Sequence, residues 1–297
     1  MLYVVTGAQG FLGRHVVARL AGEGHAILAV DRRPSIETPI DGVQYHVSDL
    51  SDPMTLIPPE CEPVGEFMLI HLAWDLRSRE TSYRVQSEQV SLLAGLLDAW
   101  TGRGLKYVIS PGSAQEYGGC GGAIDEDAVP IEPLSPYGWA KRAAYEMTAS
   151  WARRSEIGLL WLRPFIVYGP GQAGSMLIPY AVRQAQAKAP AQFSDCLQKR
   201  DFVFVDDVVE AFALGVRKQL PGVNVCNLGC GEAIRARDII EEIGRELGNI
   251  EKFEFGRRPR RTNEPDIQIA NFERARAVLG WTPKVYWREG IKRTCAG

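Results

Sequence analysis

Leu2-Tyr3-Val4-Val5-Thr6-Gly7-Ala8-Gln9-Gly10-Phe11-Leu12-Gly13 decides the fold of this chain. A short apolar run leads at once into glycines spaced Gly-x-x-Gly-x-x-Gly, and a helical pattern continues over Phe11–Gly22. The reading is a strand, a tight turn and a helix. The first glycine permits the turn, the second lets backbone approach a pyrophosphate, and the third lets helix and strand pack closely. The start of the helix offers free N–H groups and partial positive charge to phosphates. Outward from there, Ala26–Asp31 reads as the next strand, and Asp31 stands where a carboxylate meets the hydroxyls of an adenosine ribose. A strand–helix turn with no ligand would account for the glycines alone. Turn and carboxylate together point to a dinucleotide. Asp31 would repel a 2′-phosphate and so favours NAD; Arg32 and Arg33, directly after it, would attract one, so NADP stays open.

The alternation continues. Val43–Val47, Phe67–Leu72, Leu105–Ser110 and Gly158–Arg163 read as strands. Glu88–Trp100, with Val90, Leu93, Leu97 and Trp100 at helical spacing, and Ser135–Arg154 read as helices. Parallel strands need crossovers, so this order predicts an α/β protein with a Rossmann-type doubly wound parallel sheet. After Arg163 prolines and glycines cluster over Pro164–Pro179. Val203–Val205 then reads as a strand, and Asp206–Leu214, Ala236–Leu247 and a stretch near Phe272–Leu279 as helices. This predicts a smaller, mixed C-terminal lobe for substrate. The boundaries drawn are 1–163 for the dinucleotide domain, with 200–226 returning to it, and 164–199 with 227–297 for the lobe.

At 297 residues and 45% hydrophobic, the chain can bury a full core. A net charge of -2 gives no global pull toward nucleic acid or an anionic membrane. The cysteines Cys61, Cys120, Cys196, Cys226, Cys230 and Cys295 include no CxxC pair and complete no zinc pattern. Reduced thiols, and no apolar run of membrane-spanning length, predict a cytoplasmic protein.

Tyr137 and Lys141 are four apart at the start of a helix and share one face. A neighbouring ammonium favours a phenolate, so such a tyrosine can exchange a proton with a carbinol oxygen while hydride moves to or from a nicotinamide. Ser113, just past the strand ending at Ser110, is placed to hydrogen-bond the same oxygen.

Taken together, these blocks resemble the extended short-chain dehydrogenase/reductases, the NAD-dependent epimerase/dehydratase family. The resemblance covers nearly the whole chain, in order. Thr6–Gly13 is similar to the opening fingerprint, Asp49-Leu50 to the pair whose Asp meets adenine, and His71-Leu72-Ala73 to the strand end lining the cofactor. Ser110 and Ser113, upstream of Tyr117-Gly118, are similar to the serine motif, and Tyr137 with Lys141 to the acid/base pair. Arg163–Gln172, Arg200 through Asp207, Arg258-Pro259 with Glu264-Pro265-Asp266, and Leu279–Lys284 are similar to the later blocks.

The resemblance implies Ser113, Tyr137 and Lys141 as catalytic residues. It implies cofactor contacts at Gly7, Gly10, Phe11, Leu12, Gly13, Asp31, Arg32, Asp49, Leu50, Leu72, Ala73, Ser110, Tyr137, Lys141 and Pro164. It implies a nucleotide-diphosphate sugar as substrate, touched by Ser113, Gln115 and Tyr137, with Arg200 and Arg258 on the diphosphate. Guanidinium groups suit that role because they bind phosphate bidentately. Trp74, after the strand end, lines the sugar pocket or packs. Relatives pair through the helices around 88–100 and 135–154, implying a homodimer.

Three departures bear on the reaction. Sugar 4,6-dehydratases carry Asp-Glu after the catalytic hydroxyl residue; here stand Ala114-Gln115, which argues against 4,6-dehydration. Glu116, one place on, reads as a hydrogen-bonding residue. Ile166 stands where many members have Asn, and Gln89 near a usual helical Asn. Gly118–Gly122 reads as a flexible loop over the substrate or a plain connector. The expected reaction is at C4: reduction of a 4-keto(-6-deoxy)sugar, with 4-epimerisation on tightly held NAD as the alternative. A non-catalytic NAD(P)-binding sensor is the reading from another class, disfavoured by the intact Ser/Tyr/Lys set.

Overall fold

The computed structural model describes residues 1–34, 39–61, 65–133, 135–187, 190–260 and 264–297. The elements follow in chain order. β1 (Leu2–Thr6), α1 (Phe11–Ala21), β2 (Ala26–Asp31), β3 (Val43–Val47) and β4 (Phe67–His71) come first. Next are α2 (Tyr83–Trp100), β5 (Leu105–Pro111), a 3-10 turn over Ala114–Tyr117, β6 (Gly122–Ile124), α3 (Pro136–Ser155) and β7 (Gly158–Pro164). β8 (Ile166–Tyr168), α4 (Leu177–Gln186), β9 (Ala191–Gln192), β10 (Lys199–Arg200), β11 (Phe202–Phe204) and α5 (Val205–Lys218) follow. The chain ends with β12 (Val223–Leu228), β13 (Ile234–Arg235), α6 (Ala236–Glu246), β14 (Phe253–Glu254), β15 (Ile267–Ala270), α7 (Glu273–Leu279) and α8 (Trp287–Ala296).

By internal contacts the chain divides into two units. The first holds Met1–Gly118, Pro133–Arg163 and Val209–Cys226; the second holds Gly119–Glu132, Pro164–Val208 and Asn227–Gly297. The return to the first unit thus begins at Val209 rather than at 200, and Gly119–Glu132 belongs with the second.

A seven-stranded sheet in the order β12-β7-β5-β4-β1-β2-β3 dominates the first unit. Its registered pairs β1–β2, β1–β4, β2–β3, β4–β5 and β5–β7 are parallel, as in a Rossmann-type fold. Position in the sheet explains sequence. β4, flanked by strands on both sides, is buried at every residue and reads Phe-Met-Leu-Ile-His; β3, at the edge, is half exposed and mixed. α2 starts at Tyr83, earlier than its apolar spacing suggests, because the Ser82 hydroxyl accepts the Val85 N–H at 3.2 Å. Ser135 caps α3 in the same way through Gly138, with Pro136 in the first turn. Leu93, Leu96, Leu97 and Trp100 of α2 join Ala144, Ala149 and Trp151 of α3 and Val4, Leu69 and Val108 of the sheet in one buried cluster.

The second unit contains a mixed sheet, β13-β10-β15-β6, and the short pairs β8–β11 and β9–β14. β10–β15 and β15–β6 are parallel and β10–β13 antiparallel. Two of its helices were not evident in sequence. α4 begins inside the proline-rich stretch, with Pro179 in the first turn, where a missing N–H is harmless. α8 is heavily charged yet buries Trp287, Gly290, Ile291 and Thr294 along one stripe. The Gly118–Gly122 stretch is not a free loop: Gly122 opens β6, which pairs with β15, and Gln268 Nε2 donates to Cys120 O at 3.3 Å.

Among the described residues no helix is long and apolar enough to cross a membrane, and no group of three or more His, Cys, Asp or Glu residues could hold a metal.

Candidate active site

The turn after β1 is closed to any side chain. Gly7 sits at φ +68, and an added Cβ would lie 2.6 Å from Ala73 N; at Gly13 it would lie 2.1 Å from Gly7 O. Gly10 precedes α1 as its N-cap, and no side chain caps that end. Phe11 and Leu12, half-buried, open the helix. At the end of β2 the Asp31 carboxylate accepts the Gln9 N–H at 3.0 Å and the Arg33 N–H at 3.1 Å. Both arginines beside it are drawn onto carboxylates: Arg33 onto Asp31 at 3.2 Å and Arg32 onto Asp75 at 3.5 Å. A bare helix start and a carboxylate at the end of β2 fit the pyrophosphate and adenosine of a dinucleotide.

Leu72, Ala73 and Ser110, also expected at the cofactor, stand at or beside the carboxyl ends of β4 and β5. Leu72 N–H donates to Thr6 O at 3.1 Å, and Ala73 faces Gly7. Ser110 Oγ donates to His71 O at 3.2 Å. Asp49 is exposed and accepts the Ser51 N–H at 2.9 Å, a bond that holds its carboxyl below the usual range; Leu50 packs on the core. Pro164 is buried at the end of β7 and belongs to the second unit.

Ser113, Tyr137 and Lys141 meet at the ends of β5 and α3. Ser113 caps the 3-10 turn, its Oγ accepting the Gln115 N–H at 3.1 Å, and it is near enough to the Tyr137 phenol to favour its ionised form. Lys141 is buried; its ammonium donates to Pro111 O at 2.9 Å and stands 5.9 Å from the Tyr137 ring centroid. Burial pushes the Tyr137 phenol up to about 12, with Glu116 adding to the rise and Arg79 and Ser113 opposing it. Burial also pulls Lys141 down to about 7, against the pull of Glu116. The lowering of the phenol expected from its lysine neighbour is not found here: desolvation raises it, and the groups that oppose the rise are Arg79 and Ser113.

Glu116 is a structural carboxylate. It is sealed from solvent and accepts Ser113 N–H at 2.8 Å, Trp161 Nε1–H at 3.0 Å and Arg163 Nε–H at 2.7 Å. With Gly112 packed so tightly that a Cβ would meet both Glu116 and Trp161, it fixes the turn that presents Ser113. Gln115 accepts the Ser135 hydroxyl at 2.7 Å, tying that turn to the start of α3. Gln89 does a job that an Asn could share: its Oε1 accepts the Asp75 N–H at 2.9 Å. Trp74, expected to line the sugar pocket or to pack, lies against Lys141, its ring centroid 3.7 Å from the ammonium.

Arg79 escaped the sequence reading. Its carbonyl accepts the Tyr137 N–H at 3.0 Å and its charge reaches the phenol. It lies far upstream of Tyr137 in a loop without a motif, so no local signal could have found it.

In the second unit, Arg200 is buried on β10 and donates to Lys199 O, to Pro265 O at 2.8 Å and to Glu264 at 3.3 Å. Arg258 is exposed and donates to Tyr180 OH at 3.3 Å. Of the basic run, Arg260 is the cation that acts on Arg200 electrostatically, and it pairs with Asp195 at 2.6 Å; Arg261 lies outside the described residues. Ile166 is 36% exposed, with its N–H on Asp201 O.

Residues 3–229 match the model of the NAD dependent epimerase/dehydratase family. The chain belongs to this family of enzymes. It is 26% identical to the UDP-glucuronate 4-epimerase of Thermodesulfobacterium geofontis, over 98% of this chain and 94% of that protein. It is equally 26% identical to the CDP-abequose synthase of Salmonella typhimurium, over 97% and 95%. Among solved structures it is similar to MoeE5 in complex with UDP-glucuronic acid and NAD, at 30% identity and a TM-score of 0.87, covering 100% of this chain and 98% of that one. The family is NAD dependent, and relatives over almost the whole chain include 4-epimerases of UDP-glucuronate and UDP-glucose.

Proposed function

We propose that this chain is a nucleotide-sugar 4-epimerase that holds NAD through its catalytic cycle. The observation that carries the C4 chemistry is the convergence of Ser113, Tyr137 and the buried Lys141 at the ends of β5 and α3, with the Lys141 ammonium 5.9 Å from the Tyr137 ring centroid. NAD, when bound, would supply the hydride acceptor and donor. Ser113 and Tyr137 take the C4 oxygen of the sugar between them. Tyr137 removes the hydroxyl proton as C4 is oxidised and returns it to the oxygen once the 4-ketone has presented its other face. Lys141 stabilises the transient phenolate.

Two further observations favour epimerisation over the net reduction expected from sequence. The Asp31 carboxylate and the engagement of Arg32 and Arg33 on acidic partners suit an NAD ribose without a 2′-phosphate. Several relatives are 4-epimerases. Net reduction of a 4-keto-6-deoxysugar is the second reading, favoured by the similarity to CDP-abequose synthase over almost the whole chain and by Ala114-Gln115 in place of a dehydratase acid pair. The proposed substrate is a nucleotide-diphosphate sugar whose diphosphate is met by Arg200 and Arg258. A homodimer through α2 and α3 completes the proposal.

Denaturing the purified protein and measuring the released dinucleotide separates the readings. The epimerase is expected to release NAD near one per chain and to interconvert the C4 epimers of UDP-glucuronic acid or UDP-glucose, followed by NMR. A cofactor-free protein that consumes NADH or NADPH with a nucleotide-linked 4-keto-6-deoxysugar would overturn the epimerase in favour of the reductase. Tyr137→Phe should abolish either turnover and spare dinucleotide binding.

A further inference from the structure

The Lys141 ammonium lies over the face of Trp74, 3.7 Å from the ring centroid. The lysine is 3% exposed, and its described hydrogen bond goes to Pro111 O. An amine so enclosed tends to lose its proton, since burial disfavours the charged form. The ionisable groups that act on it are few: Glu116 from the 3-10 turn favours the charge, and His71 at the end of β4 is buried and held neutral. An indole face adds a partner of another kind, because its quadrupole attracts an ammonium and not a neutral amine. The ring cannot turn away freely. Its Nε1–H donates to Gln86 Oε1 at 2.9 Å, and the buried Gln86 donates in turn to Asp75 O at 2.9 Å. Its edge meets Tyr137, with centroids 6.3 Å apart and planes at 87°.

We propose that Trp74 is a positioning residue of the proton-transfer pair: its indole face, locked by Gln86, keeps the Lys141 amine protonated and held beside Tyr137. The inference rests on the reading of Tyr137 and Lys141 as that pair and goes beyond it. Trp74 acts through Lys141 and not on the reacting atoms. The charges facing the phenol itself, from Glu116 and Arg79, are left untouched by changes at Trp74.

Trp74→Phe keeps a π-face, whereas Trp74→Leu keeps apolar bulk without one. The readout is the titration midpoint of Lys141 followed by NMR of lysine labelled with 13C at Cε, the signal being assigned by its loss in Lys141→Met. Trp74→Leu is expected to lower the midpoint by about one pH unit, and Trp74→Phe by less than half of that. In turnover, Trp74→Leu is expected to lower kcat about tenfold with KM within about twofold, and Trp74→Phe to stay within about threefold. Gln86→Met, which frees the indole, should move the midpoint in the same direction without touching the cluster. An unchanged midpoint in Trp74→Leu, or equal shifts in the Phe and Leu variants, overturns the proposal and leaves Trp74 a packing residue. The titration needs no turnover. If Tyr137→Phe retains activity the catalytic reading falls, while the effect of Trp74 on Lys141 is still decided.

Discussion

The Glu116 carboxylate meets the Arg163 guanidinium at 2.7 Å with both side chains almost fully sealed from solvent. Arg163 also donates to Tyr117 OH at 3.0 Å and lies over the Tyr145 ring, so the pair braces the turn that carries Ser113 from several sides. Removing one partner strands the other charge in the interior. Glu116→Ala is therefore expected to cost about 3–5 kcal/mol in unfolding free energy, read by denaturant titration. Glu116→Gln should cost less, and if soluble it should lower kcat more than it raises KM, because the position of Ser113 is what is lost. A Glu116→Ala protein of wild-type stability would show that the pair does not brace the turn.

The glycine turn makes a sharper demand. At Gly13 a methyl group would sit 2.1 Å from Gly7 O, and its three nearest neighbours are all backbone atoms that cannot swing aside. Gly13→Ala should destabilise by about 2 kcal/mol or more and lose dinucleotide binding, read by thermal unfolding and calorimetric titration with NAD. Gly24→Ala is the control: that residue has open space around it but a φ of +78, so it should pay a backbone penalty of about 1 kcal/mol and bind NAD normally.

How much of this was legible in sequence depends on how local each signal is. β1 and β2 span the stretches read from sequence as strands, because buried parallel strands are written as continuous apolar segments. Ser113, Tyr137 and Lys141 were legible because serine motif and helix spacing are short-range patterns, and the sheet brings them together. Arg79 and the Trp74–Lys141 contact were not legible, since they depend on the path of one loop over the start of α3. α8 was hidden by its charge: its buried stripe is narrow and holds a glycine and a threonine. The raised phenol of Tyr137 was missed because desolvation is a property of everything around a residue and not of its sequence neighbour.

Asp31 should set the choice of cofactor. Its carboxylate is anchored by Gln9 N–H and neutralised by Arg33. Asp31→Asn is expected to weaken NAD about tenfold and to strengthen NADP, because it removes the repulsion of a 2′-phosphate and releases Arg33. Titration of the cofactor-free protein with each dinucleotide checks this. An unchanged ratio of the two affinities would show that Asp31 does not read the ribose.

The proposed dimer has a visible mark. Tyr83 at the start of α2 and Trp139 at the start of α3 are 58% and 39% exposed and pack edge to face, with centroids 5.9 Å apart. Paired aromatics left in water at adjoining helices suit an interface. Sedimentation should show a dimer, and Trp139→Asp should shift it to monomer or raise its dissociation constant at least about tenfold. A monomer at micromolar concentration in the wild type would end this reading.

His71 gives the fold an acid limit. Its imidazole is buried at the end of β4, exchanges a hydrogen bond with Thr6 Oγ1 at 2.9 Å, and is pulled down to about 3 by burial, with the Lys141 charge adding to the effect. Below about pH 6.5 the unfolded chain takes up a proton here while the folded chain keeps the ring neutral, so added protons favour unfolding. Stability at this site is complete above the ordinary histidine range and drains away as pH falls toward 3, at a slope approaching about 1.4 kcal/mol per pH unit. Carboxylates contribute on the acid side as well, so the informative quantity is a difference. His71→Asn, which can still bond Thr6, should unfold at lower urea than wild type at pH 7 and lose less of its stability between pH 6.5 and pH 4.5. Parallel curves for the two proteins across that range would mean that the buried imidazole takes its proton without opening the fold.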